Sequence, residues 1–147
     1  VAIWAWVLAA YDRPGVPEAT LALQDNHGQN TPYLLWAAYA RATDRGLLDR
    51  AAATARVWDQ TALIPLRQAR RALKTPLPPI NDGAREAFRQ DVKALELAAE
   101  RLLMETLAGL AGQGHGVSAF EALSAAADAW GESPPAQALD DLARVLG

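Results

Sequence analysis

Apolar residues recur along this chain at steps of three and four, and no stretch alternates apolar and polar positions with a period of two. The pattern predicts helices throughout. The first covers about 2 to 12, where Trp4, Leu8 and Tyr11 share a face, and Pro14 and Gly15 end it. A short helix from about Pro17 to Gln24 follows, then the loop QDNHGQN, Gln24 to Asn30. Thr31 is read as the N-cap of a third helix, with Pro32 in its first position and an end near Gly46. Asp49 is expected to cap the next helical run. Pro65 lies inside that run, where it removes a donor and crowds the preceding turn. The run should therefore divide into pieces at about 50 to 62 and 64 to 74.

The segment TPLPPINDG is too rich in proline to stay helical. The longest helix is expected over about 83 to 111, where Phe88, Val92, Leu95, Ala99 and Leu102 form an apolar stripe. Leu103, Leu107 and Leu110 widen it beyond the seam of a two-stranded coiled coil, which suits a buried bundle helix. Glycines in AGLAGQGHGVS end it. Ser118 and Glu121 have capping-box spacing and start a helix that reaches about Trp130. A last helix starts after Ser133 and carries Leu139, Leu142 and Val145. The expected fold is all-α, a single irregular bundle of six or seven helices in one domain, 1–147.

Composition agrees and narrows the function. Apolar residues make up 51% of the 147, enough to bury a core without metals or disulfides. Alanine is abundant and β-branched valine and isoleucine are scarce, which favours helix. There is no cysteine, which excludes disulfides, thiolate zinc sites and a cysteine nucleophile. That fits a reducing, cytoplasmic setting. The opening VAIWAWVLAA is too short to span a membrane and lacks a basic segment before it, so it reads as the first core helix and not as a signal peptide. An initial valine is compatible with a processed or trimmed start.

Candidate chemistry is sparse. The two histidines, His27 and His115, fall in expected loops, and there is no metal-binding His/Cys spacing and no glycine-rich phosphate loop after a strand. No cofactor or metal is expected. GQGHG, 112 to 116, reads as a flexible connector. Asp25 and His27 are close in sequence, yet no nucleophile has a recognisable setting beside them. Gln24, Asp25, His27 and Asn30 nonetheless define an alternative site. There the free N–H groups of the following helix could hold a small anionic or phosphorylated ligand, or support hydrolysis. The plainer reading gives Asp25 or Asn26 an Asx turn, Gly28 a left-handed position, and Gln24 and Asn30 the role of loop clamps. Asp91, Glu96, Glu100 and Glu105 read as a solvated or ion-paired helix face. Trp4, Trp36 and Trp58 read as core, whereas Trp6 or Trp130 could be an exposed partner-binding anchor.

The strongest functional signal is the stretch LIPLRQARRALK, which places Arg67, Arg70, Arg71 and Lys74 in one compact patch on a helix. Residues 1 to 74 hold nine basic and six acidic side chains, net +3, and residues 75 to 147 hold five and eleven, net -6. The basic row either pairs with acids of the long helix or stays open to steer an acidic protein surface. Nucleic acid is not expected, because the chain is -3 overall and the patch is short.

The string WVLAAYDRPGVPEATLALQDNHGQNTPYLLWAAYA resembles the start of a small proteobacterial family known as domain of unknown function 2390. The resemblance rests on Tyr11, Pro14, Gly15, Val16, Leu23, Gln24, Asp25, Gly28, Asn30, Leu34 and Leu35, on Trp58, and on the run from Pro65 to Lys74. It covers about the first 75 residues. Trp36 stands where the family tends to carry a smaller or aliphatic residue. The resemblance implies a cytoplasmic bacterial protein and makes the loop and the basic row family features, but it brings no activity. These readings favour a non-enzymatic helical protein-interaction module, a small regulator or adaptor. The alternatives are a ligand binder or hydrolytic enzyme at the 24–30 loop, and a structural homo-oligomer formed through the C-terminal helices.

Overall fold

The computed structural model describes residues 2–147. They form an all-α bundle: α1 Ile3–Tyr11, α2 Val16–His27, α3 Thr31–Ala40, α4 Arg45–Trp58, a π-helical segment Asp59–Leu63, α5 Ile64–Ala72, α6 Asp82–Ala108, α7 Ala119–Trp130 and α8 Ala136–Leu146. α4, the π segment and α5 run on as one rod, so the described residues make seven rods. None of their helices is long and apolar enough to cross a membrane.

α3 is the centre. All ten of its residues are buried, and α1, α2, α4, α6 and α7 pack around it. Its sequence TPYLLWAAYA contains no charge, so it can be enclosed on every side. The polar atoms it carries inside are answered. Tyr33 Oη donates to the Ala126 carbonyl at 2.8 Å, and Trp36 Nε1 donates to the Ala111 carbonyl at 3.0 Å.

Several boundaries differ from the sequence expectation. Asn30, not Thr31, caps α3, its Oδ1 accepting from Tyr33 N at 3.0 Å. α3 stops at Ala40 because Arg41 turns left-handed, with φ 52°. Asp44 then caps α4 by accepting from Leu47 N at 2.8 Å. Asp49 therefore lies inside the helix, paired with Arg45 at 2.9 Å. α2 continues to His27, since nothing from Gln24 to His27 breaks a helix and the left-handed Gly28, φ 61°, supplies the stop. The expected loop shrinks to three residues. The rod divides at the place expected. The π turn sits just ahead of Pro65, where the missing N–H and the ring disrupt α-helical bonding.

Two faces are also turned relative to expectation. α1 buries Ile3, Val7 and Ala10, leaving Trp4 and Tyr11 at its flanks and Leu8 in solvent. On α6 the inward face is Val92, Glu96, Ala99, Leu103 and Leu107. Phe88, Leu95 and Leu102 point out, at 58%, 58% and 57% exposure. α6 starts at Asp82 and ends at Ala108, leaving Leu110 exposed beyond it. Ser118 caps α7 by accepting from Glu121 N, as the spacing foretold. α8 packs its buried Leu139, Leu142 and Leu146 against α2 and α7, so the apolar side of the C-terminal helices lies within the molecule.

One region stands apart. α5 buries no residue at all, and between 64 and 95 the buried side chains are Arg85 and Val92. α5 leans on α6 and the π segment. The two helices and the turn between them thus form a hairpin arm beside the core.

Gly114 closes the connection after α6, its N–H donating to the Tyr39 carbonyl at 3.1 Å. A Cβ there would sit 1.9 Å from the Ala40 carbonyl oxygen, whereas one at Gly112 would meet nothing. Gly114→Ala should therefore lower stability by about 1–3 kcal/mol through overpacking, and Gly112→Ala should stay within about 0.5 kcal/mol of the parent. Urea unfolding of the two variants checks this.

Candidate functional site

The end of α2, the start of α3, α5 and the middle of α6 meet at one crossing. It brings together the two features that the sequence marked separately, the 24–30 segment and the basic row. Glu96 is its hub. This carboxylate is buried on α6 and accepts from Arg70 through both oxygens, at 2.6 Å from Nε and 3.4 Å from Nη2. Arg67 Nε lies 4.0 Å from Oε1 of the same group. Asp59 of the π segment accepts from Asn30 Nδ2 at 3.3 Å. Burial pushes its carboxyl up, and the nearby Arg67 and Arg56 pull it back. Arg71 crosses to α2 and meets Asp25 at 2.9 Å.

The basic row is thus largely answered by the chain itself. Its three arginines lie against carboxylates of this molecule. Lys74, exposed near the tip of the arm, has no carboxylate within ion-pair distance among the described residues. The four residues of the 24–30 segment do not line one pocket. Gln24 faces the crossing, Asp25 is taken by Arg71, Asn30 caps α3, and His27 lines a separate recess with Arg56 and Trp130. The two tryptophans differ in exposure. Trp130 is buried 5.5 Å from the Tyr33 ring, with the Arg56 guanidinium 4.2 Å above it and its Nε1 donating to the Gly28 carbonyl. Trp6 is half-buried, edge-on to Tyr39.

A cavity of about 320 Å³ opens at the crossing, walled by Tyr11 of α1, Thr20 and Gln24 of α2, Arg70 of α5, and Lys93, Glu96 and Glu100 of α6. Glu100 was the least legible of these. Sequence reasoning placed it on a solvated or paired face, yet among the described residues its carboxyl makes neither a hydrogen bond nor an ion pair. Burial raises it from the ordinary 4.5 to about 7, the neighbouring Glu96 adding to the rise and Arg67 and Arg70 opposing it. Burial also raises the Tyr11 hydroxyl, and Glu100 adds to that effect while a hydrogen bond with Thr20 lowers it. The signal available beforehand was spacing. Glu96, Glu100, Leu103 and Leu107 follow one another at steps of four, three and four, which puts both acids on the buried side.

The chain matches the family described as a protein of unknown function (DUF2390) over residues 2–107, and it belongs to that family. The match reaches beyond the first 75 residues and takes in the hairpin arm and nearly all of α6. No curated protein and no solved structure matches it.

Removing the hub charge leaves two largely buried arginines, Arg67 and Arg70, without their counter-charge. Glu96→Gln should destabilise the fold by about 3–5 kcal/mol, readable by urea denaturation. Glu100 acts in the other direction. Its folded value lies above its unfolded one, so between pH 4.5 and about 7 the folded chain holds more protons than the unfolded chain. Its contribution to stability is present below 4.5 and is lost as pH rises through that window. Glu100→Gln should flatten this fall in the urea midpoint over the same range.

Proposed function

We propose that this chain is a non-enzymatic protein-interaction module, acting as one domain, whose working surface is the hairpin arm. The observation that carries the reading is the stripe Phe88, Leu95 and Leu102. These three side chains repeat every seven residues on the outer side of α6, each more than half exposed. Leu102 also lines a groove of about 600 Å³ between α4 and α6, together with Ala53, Val57 and Trp58. A stripe continuous with an apolar groove between two antiparallel helices suits a third, amphipathic helix laid along it.

Charge selects the partner. Residues 64–95 hold seven basic and three acidic side chains, net +4, while the remainder of the chain holds seven and fourteen, net -7. The arm is the positive part of an acidic molecule, so a helix with acidic flanks is favoured over a basic one, while the net -7 of the remainder repels a long polyanion such as nucleic acid. Lys74 and the half-exposed Arg71 steer, and the leucines and Phe88 supply the desolvated contact. This moves the working contact from the arginine row to the neighbouring face of the same arm. A cytoplasmic setting in a bacterial cell belongs to the same proposal.

Leu95 is exposed, so Leu95→Glu should leave helicity intact. It should cut capture of the partner from cell extract more than tenfold. Arg71→Glu with Lys74→Glu should weaken capture most at low salt. Equal capture by parent and Leu95→Glu would remove the proposal. So would light scattering in which Leu95→Glu turned a dimer into a monomer, since the surface would then serve a second copy of this chain.

A further inference from the structure

We propose that the cavity between α1, α2, α5 and α6 binds a small organic ammonium ion, a primary amine with a short apolar body, through the Glu100 carboxylate. The two acids of this wall are not equivalent. Glu96 is held by Arg70 in a forked pair, with Arg67 behind it. Glu100 lies one turn further along α6 and lines the cavity without a hydrogen bond or ion pair of its own among the described residues. This half-buried carboxyl feels the Arg67 and Arg70 guanidinium groups only from beyond Glu96, which holds Arg70 in its forked pair, so the cavity side of Glu100 is open to a cation of its own.

The rest of the cavity fits the other end of such a ligand. Leu21 and Leu97, at 55% and 50% exposure, face the same space. They offer apolar walls where a short alkyl chain would leave water. The Tyr11 hydroxyl supplies an acceptor beside Glu100. An anion is disfavoured, because it would place a second negative charge against Glu100 while Arg70 is already engaged. Lys93, at the rim, has no carboxylate within ion-pair distance among the described residues, and it repels an incoming cation. It therefore offers a lever of opposite sign to Glu100.

Binding an ammonium ion favours ionised Glu100, so at pH 6 the acid gives its proton to the buffer as the amine enters. Affinity should rise from pH 5 to pH 8, a range in which an alkylamine stays charged. The charged and polar groups around Glu100 are Tyr11 from α1, Arg67 and Arg70 from α5, and Glu96 and Lys93 on α6 itself.

The test is calorimetric titration of the full chain with n-butylamine, with butyrate and n-butanol as comparison probes. Saturable binding of butylamine alone is expected, with an observed heat that depends on the buffer's ionisation enthalpy at pH 6. Glu100→Gln should weaken it about tenfold or more, the loss of one charge-assisted hydrogen bond. Lys93→Glu, on an exposed position that folding does not need, should tighten it. Leu95→Glu on the arm should leave it unchanged, which separates this site from the protein-binding surface. Butyrate binding as well as butylamine, no saturation by butylamine, or unchanged affinity in both Glu100→Gln and Lys93→Glu would overturn the assignment.

Discussion

A helix enclosed on all sides must carry no charge and must find a partner for every polar atom, and the fold is arranged around that demand. α3 meets it with ten buried residues, an asparagine cap at its start, and tyrosine and tryptophan polar atoms tied to carbonyls of α7 and of the turn after α6. The helices that cover it then have one side defined and one side free. α6 and α7 face it directly, α8 closes the outside of α7 and α2, and the long rod crosses α7 and α6. What remains outside this arrangement, the arm, is also where the chain carries its concentrated positive charge.

Much of this was readable beforehand, for physical reasons that differ from element to element. Proline and glycine positions marked the breaks, and Ser118 with Glu121 marked a helix start, because these residues act through local backbone chemistry. The faces were harder. A helix as apolar as α6 offers two stripes, and periodicity alone cannot say which one the rest of the molecule covers. Phe88, Leu95 and Leu102 gave as good a pattern as Ala99, Leu103 and Leu107. The neighbours decided between them. The same limit applies at the crossing. Sequence put a basic row on α5 and acids on α6, and it named ion pairing as one outcome. That Asp25 of α2 would take Arg71, and that Glu100 would make no ion pair among the described residues, depends on how three helices meet in space.

The crossing also shows why a charge pattern needs a structure before it becomes a function. Arg67 and Arg70 look like a binding patch in one dimension and act as a structural pair in three. Their worth lies in position, since a buried carboxylate with two guanidinium groups holds α5 against α6 where α5 has no core residues of its own. The apolar stripe beside them has no such internal answer.

The π segment gives this arrangement its phase. Each residue turns an α-helix by about 100°, so the wide turn at Asp59–Leu63 resets the direction in which everything after Pro65 points. A rod of uniform pitch would swing the Arg70 guanidinium about a quarter-turn away from Glu96 and present a different side of α5 to α6. Insertions and deletions of one residue between Trp58 and Pro65 should therefore be far less tolerated than substitutions there. The rod's irregularity works as an indexing notch between the core and the arm.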